Sequence, residues 1–194
     1  IYTLSLPVAL PIYSKSVAAK PAAWSALIAK GHELGSHSMI HPCGGNSGSF
    51  LAPQDRLEAY TPKRLADELD QSVEFLVGLG WKRAVTYAWP CGQSWVGKDQ
   101  QDITPLAAER FMAARDAWGG VADPSTVKLM HVPAVDGAKS LVSLKSWVDE
   151  ARKKGGWLVF MFHGVGGDYL SVDQAAYEGL LDVLSADPQA WVAP

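Results

Sequence analysis

Residues 21–48 read PAAWSALIAKGHELGSHSMIHPCGGNSG. Trp24, Leu27 and Ile28 recur at helical spacing, with Pro21 near the start and Gly31 just past the end, so the spacing predicts a helix over Pro21–Lys30. The short segment His32 to His37 follows as a strand and runs into Pro42, Gly44, Gly45, Asn46 and Gly48, which is loop chemistry. Three of the five histidines fall between 32 and 41, so the densest histidine cluster lies where a strand becomes a loop.

The same alternation continues on the C-terminal side. Thr61 and Pro62 make an N-cap and N1 pair, and Leu65, Leu69, Val73 and Leu76 mark one face of a helix that Gly80 ends. A strand over Ala84–Trp89 breaks at Pro90-Cys91-Gly92 into a polar loop through Asp102, and Thr104-Pro105 then caps a short helix before an apolar segment, Phe111 to Ala114. Another strand is expected over Lys128–Val135. Leu144, Trp147, Val148 and Ala151 define a helix stopping at Gly155-Gly156. Trp157 to Phe162 is an uninterrupted apolar run, read as a strand buried on both faces, with His163 at its end. Ser171 and Gln174 have capping-box spacing ahead of Tyr177, Leu180, Leu181 and Leu184, and Trp191 to Pro194 reads as a last strand. Strands and helices joined by short connections argue for a parallel sheet covered by helices, open or closed into a barrel. In either architecture ligands sit at the carboxyl ends of the strands.

Composition narrows the function. With 194 residues, 48% hydrophobic and 19% charged, the chain can bury the core of one ordinary domain. Seventeen Lys plus Arg against twenty Asp plus Glu give a net charge of -3, with no basic run, which argues against nucleic acid as a partner. No apolar run approaches the ~20 residues of a membrane span. Eight tryptophans supply aromatic faces of the kind that stack on sugar rings, although core packing is the commoner use of tryptophan. The two cysteines, Cys43 and Cys91, are too few for a disulfide scaffold and leave the redox compartment open.

His37 and His41 form an H-x-x-x-H pair followed by Pro42. On a helical turn that spacing points two imidazoles at one ion, and neutral imidazole is the usual zinc ligand; the alternative is a pair of polar histidines in an exposed turn. His32, inside the expected strand, reads as structural. His163, at the end of the most apolar strand, sits in a low-dielectric setting that tunes its pKa, and it is the best general acid or base in the chain. The Pro90-Cys91-Gly92 turn follows a strand and can present backbone N–H groups to a developing oxyanion. As a nucleophile Cys91 lacks any neighbour that would stabilise a thiolate. Two motif matches fail: a nucleophile elbow would need glycine where Ser49 stands, and a dinucleotide fingerprint after Gly164 would need glycine at Tyr169.

In order, Gly31-His32-Glu33-Leu34-Gly35-Ser36-His37-Ser38-Met39-Ile40-His41-Pro42, Tyr87-Ala88-Trp89-Pro90-Cys91-Gly92 and Leu158 to His163 resemble the polysaccharide deacetylases of carbohydrate esterase family 4. The resemblance implies an α/β fold, a distorted and truncated (β/α) barrel of the polysaccharide deacetylase type, as one domain over residues 1–194. It also implies a divalent metal, zinc above all, held by His37 and His41. Its other implications are an oxyanion contact from the Cys91 backbone N–H, His163 as the acid that protonates the leaving group, and Asp136 as the carboxylate that tunes that acid. The substrate implied is an acetylated carbohydrate, N- or O-linked, which loses its acetyl group by hydrolysis. Cys43 and Cys91 each stand directly after the proline of one of these motifs, so a disulfide between the two loops and a pair of free thiols are both open.

The chain departs from the family pattern in three places, one of them the fourth motif, usually with Asp and Trp, for which Asp136 is the candidate here. The Asp-Asp motif that would supply the base and the third ligand is absent, since the first aspartate is Asp55. Ala88 stands where the proline-turn motif usually begins with arginine. Asp55 and Glu58 are possible substitute carboxylates, but nothing in the sequence fixes their direction. Tyr2 to Ile12, YTLSLPVALPI, differs at two positions from YTLSLHDALPI, a translated sequencing adapter; the other reading is a genuine apolar strand. On the adapter reading the opening strand and any signal peptide lie outside this sequence, residues 1–12 are not native, and an extracellular or cell-envelope location is favoured. As written, the chain is expected to hold zinc weakly and to release acetate from acetylated sugars slowly or not at all. The competing functions are a non-catalytic carbohydrate-binding relative and an amide hydrolase of the same fold acting on something other than a sugar.

Overall fold

The computed structural model describes residues 9–12, 17, 20–82, 86–167 and 170–193. The chain divides into two compact units, one built from residues 8–116 and 129–131, the other containing 117–128 and 132–194.

The first unit carries a four-stranded, wholly parallel sheet. Strand β1 (Ala9–Ile12) runs beside β2 (Glu33–Ser36), pairing Ala9 with Glu33 through Ile12 with Ser36. The rest of the stretch Tyr2 to Ile12 lies outside the described residues. Beyond β2 come β3 (Thr86–Ala88) and an edge strand formed by Ala113–Arg115, so the spatial order follows the chain. Helix α1 (Pro21–Ala29) enters β2 as its proline start predicts. Helix α2 (Pro62–Gly78) starts at Thr61, whose hydroxyl accepts from Arg64 N–H. It ends at Gly80, whose φ of +99° lets Trp81 N–H reach back to Leu76 O and Gly80 N–H to Val77 O. Its apolar face drives the packing: Leu65, Leu69 and Leu76 are almost fully buried beside Leu34, Tyr87 and Trp89, and each contributes roughly 1.5–3 kcal/mol relative to exposure. A two-stranded antiparallel ribbon, β4 (Trp95–Val96) with β5 (Gln101–Asp102), follows the Pro90 turn, and α3 (Thr104–Ala108) leads to the edge strand β6 (Ala113–Arg115).

The second unit pairs β7 (Val135–Asp136) with β8 (Phe160–Met161) in parallel, Asp136 opposite Met161. Helices α4 (Leu141–Lys154) and α5 (Gln174–Ser185) share a cluster of Leu144, Val148, Val172, Ala176 and Leu180, with Phe160, Phe162 and Tyr177 against it. Gly155, at φ +59°, closes α4 in the left-handed cap that its sequence position predicts.

Four expectations need correction. Lys128–Val135 is not one strand: Leu129–His131 forms a tight turn and only Val135 enters β7. Pro133 has no N–H to give a ladder, and the Met130 carbonyl accepts from the Trp89 indole instead. Trp157–Phe162 is not buried on both faces, since Trp157 is 41% exposed and the ladder is confined to Phe160–Met161, with Trp157 making a separate antiparallel bridge to Ala122. The cap of α5 is Asp173, whose carboxylate accepts from Ala176 N–H, rather than Ser171. Residues 191–193 form no strand, and Trp191 is solvent-exposed.

Candidate metal centre

His37 directly follows β2 and His41 closes the loop after it. The segment is not the helical turn assumed from the spacing: Ser38 and His41 both have left-handed φ, +65° and +58°. Such values are uncommon outside glycine and persist only where neighbouring groups hold them. Here they bend the loop so that the two imidazoles meet edge to face with ring centroids 4.6 Å apart. Two imidazoles on one tetrahedral zinc, at about 2.0–2.1 Å per bond, have centroids about 5.2 Å apart, so the pair lies near the spacing that joint coordination needs.

Hydrogen bonding sets which nitrogen faces an ion. His37 Nδ1 lies 2.8 Å from the carbonyl oxygen of Ala88, at the end of β3; a carbonyl only accepts, so Nδ1 carries the proton and Nε2 the lone pair. His41 Nδ1 lies 3.4 Å from Cys43 Sγ. That sulfur is bonded to Cys91, with Cα atoms 5.9 Å apart, and has no proton to give. The disulfide therefore ties the His41 loop to the Pro90 turn, which settles the open question about the two cysteines and removes Cys91 as a nucleophile. Cys91 itself has φ +53°, and its backbone N–H donates to no group among the described residues.

The loop is held from beneath by a residue that pattern reading passes over. Glu68, on α2 and 8% exposed, accepts with one carboxylate oxygen from Met39 N–H (3.0 Å) and Ile40 N–H (3.2 Å), and with the other from Tyr60 O–H (2.6 Å). Burial first, then the bond to Glu68, pushes the Tyr60 phenol above its ordinary range, so it stays a donor. Ser38 Oγ accepts from His41 N–H at 3.0 Å, fixing the turn into the second histidine. The signal for Glu68 was in the sequence: an ionisable residue between Leu65 and Leu69 on the apolar side of a helix. Gly48 is required here as well, since a Cβ on it would lie 2.2 Å from the Cys43 carbonyl oxygen. Gln93, after the Pro90 turn, accepts from Gly44 N–H and donates to Gly44 O, a second tie between the two loops.

Around the Pro90 turn, Trp89 is fully buried and stacks on His131, whose Nδ1 lies 3.1 Å from Asp116 and whose Nε2 lies 3.1 Å from Thr104 Oγ1. Arg115 stands opposite Ala88 in the β3–β6 register, beside the position where the family resemblance expects arginine. Burial pulls its guanidinium down to about 10, still charged at neutral pH. Neither substitute carboxylate is directed at the histidines: Asp55 pairs with Arg64 at 3.0 Å, and Glu58 accepts from Gly45 N–H. Among the described residues, the one group of three His, Cys, Asp or Glu side chains close enough to share an ion is His41, Cys43 and Cys91, so no carboxylate joins the imidazole pair.

In the second unit His163 lies two residues beyond β8, and Asp136 ends the neighbouring strand β7. His163 is exposed rather than held in an apolar setting. The Asp136 carboxylate is held below the usual range, mainly by its bond to Lys139 at 2.7 Å, with smaller help from the Ala138 N–H and from His163. Gly137 admits the Phe162 ring, since a Cβ there would fall 2.4 Å from it.

No protein-family model matches the chain, and no curated protein does. Solved structures do. A structure described as a "probable polysaccharide deacetylase" from Pseudomonas aeruginosa PAO1 superposes over 97% of this chain with a TM-score of 0.65 at 14% identity. The Puue allantoinase does so over 97% with 0.65 at 12%, and the Streptococcus pyogenes deacetylase PplD, in complex with acetate, over 73% with 0.51 at 13%. The chain spans 65%, 64% and 58% of those three proteins. At these identities the likeness establishes the fold: this is the α/β fold that the solved polysaccharide deacetylases share with the allantoinase.

Proposed function

We propose that the chain is a metal-dependent hydrolase that removes acetyl groups from a carbohydrate. The observation that supports this reading is the His37–His41 pair, whose rings meet at 4.6 Å across a turn with two left-handed residues, each with its Nδ1 engaged, by the Ala88 carbonyl and by Cys43 Sγ. His37 and His41 would hold a divalent ion, zinc by the chemistry of neutral imidazole. Such an ion supplies Lewis acidity toward an acyl carbonyl. The chain's own contributions are the Glu68 anchor that keeps the two ligands in place and the Cys91 N–H, held on the Pro90 turn as a donor to an acyl oxygen. His163 is proposed as the proton donor to the leaving amine or alcohol, with Asp136 on the adjoining strand end as its carboxylate. Trp118, Trp157 and Trp191 are exposed and offer faces suited to sugar rings.

The equal likeness to an allantoinase favours a second reading, hydrolysis of an amide in a small molecule. Acetate release from acetylated chitooligosaccharide and acetylated xylan, measured beside allantoin hydrolysis, separates the two. Zinc-dependent acetate release that is lost in His37→Ala supports the proposal. Release that persists after chelation, or turnover of allantoin alone, overturns it.

A further inference from the structure

The disulfide joining the two loops sits against a histidine in a way that a structural crosslink does not require. The ligand atoms of His41, Cys43 and Cys91 all lie within 4.8 Å of one another. His41 Nδ1 and Cys43 Sγ are 3.4 Å apart, and a nitrogen and a thiolate on one tetrahedral zinc, with bonds of about 2.05 and 2.3 Å, stand about 3.6 Å apart. The two sulfurs would have to separate to about 3.8 Å for the same geometry. Their Cα atoms, 5.9 Å apart, sit on two loop segments that permit this by side-chain rotation.

We propose that reduction of Cys43–Cys91 creates a second metal site, a Cys2His set for a thiophilic divalent ion, that competes with the imidazole pair for His41. Cys43 is fully buried and Cys91 half-exposed, so an incoming dithiol reductant attacks the Cys91 sulfur. The protein's S–S bond breaks, Cys43 leaves as thiolate, and a mixed disulfide forms on Cys91. The second thiol of the reductant closes its own disulfide and releases Cys91. Two electrons and two protons pass to the protein, and metal binding then displaces the thiol protons into solvent. Two thiolates and one imidazole, with an open fourth position, match zinc better than two imidazoles do. A neutral imidazole has one ring lone pair, so an ion held at His41 Nδ1 by the thiolate set leaves the proton on Nε2; the imidazole pair then loses that ligand, and the redox state of the disulfide selects between the two. The new site shares His41 and the Cys91 turn with the deacetylase reading, through the Cys91 side chain rather than its N–H, and does not otherwise rest on it.

Cobalt(II) titration of the full chain before and after reduction with a phosphine, which does not compete as a thiol, tests this. The reduced protein should take up one equivalent with a sulfur-to-cobalt charge-transfer band that the oxidised protein lacks, and zinc should displace it. His37→Ala should keep the band, which separates this site from the imidazole pair. His41→Ala should weaken cobalt binding by about tenfold or more, and Cys43→Ser should lose most of the band. Without any substitution, zinc should protect both thiols of the reduced wild-type chain from alkylation. No band on reduction, a full band in Cys43→Ser, unchanged affinity in His41→Ala, loss of the band in His37→Ala, or thiols that alkylate at one rate with and without zinc would each overturn the proposal.

Discussion

The carbonyl oxygen of Ala88, at the end of β3, accepts from Nδ1 of His37, just beyond β2, at 2.8 Å. One strand end thus sets the tautomer of the residue on the next. The expected consequence is an Nδ1-protonated His37 at neutral pH, seen in nitrogen-resolved NMR of the imidazole, with Nε2 moving when zinc is added. An Nε2-protonated ring that ignores zinc would remove the basis for treating His37 as a ligand.

Glu68 should matter more to the loop than its place on a helix suggests. Glu68→Ala leaves two backbone N–H groups and the Tyr60 hydroxyl without their acceptor and should cost about 2–4 kcal/mol in denaturant unfolding. Glu68→Gln keeps one acceptor oxygen and should cost about half of that. Equal and negligible losses in both variants would mean the carboxylate does not hold the loop.

The disulfide closes a separation of 48 residues. Chain-entropy reasoning assigns such a crosslink about 4 kcal/mol, and measured values commonly fall lower. Reduced chain, or Cys43→Ser with Cys91→Ser, should unfold at lower denaturant by about 2–4 kcal/mol. An unchanged midpoint would show that the reduced state already restrains the two loops.

Asp136 titrates below the ordinary carboxylate range chiefly because Lys139 bonds to it. The sign follows from linkage: stability from this pair is present above the ordinary carboxylate pKa and lost as pH falls through the lowered folded value. Lys139→Ala should raise the Asp136 titration midpoint in carboxyl-resolved NMR. Both partners are partly exposed, with side chains 48% and 29% accessible, so the stability change should stay near 0.5 kcal/mol or less. A midpoint that does not move would assign the shift to another neighbour.

Local signals in the sequence carried most of the fold. Pro21, the Thr61 cap, Gly80 and Gly155 act through backbone geometry that their own residue types impose, and each stands where it was expected. The failures come from side chains that the pattern does not weigh, some distant along the chain and some close by. The Trp89 indole takes the Met130 carbonyl, and a strand read through 128–135 becomes a turn. Asp173 outcompetes Ser171 as a cap because its carboxylate reaches the Ala176 N–H. At the candidate site, the H-x-x-x-H spacing was legible but the turn that brings the two rings together was not, because its left-handed residues are a serine and a histidine, in a loop anchored by Glu68, rather than glycines. Hydropathy periodicity counts apolar positions only, so it hid Glu68 among leucines.

Zinc titration of the oxidised chain by calorimetry, repeated on His37→Ala and His41→Ala, bears most directly on the proposed metal site. One equivalent should bind, weakly for want of a third ligand among the described residues, and either substitution should abolish it. Stoichiometric binding that survives both substitutions would place the ion elsewhere and contradict the assignment of His37 and His41.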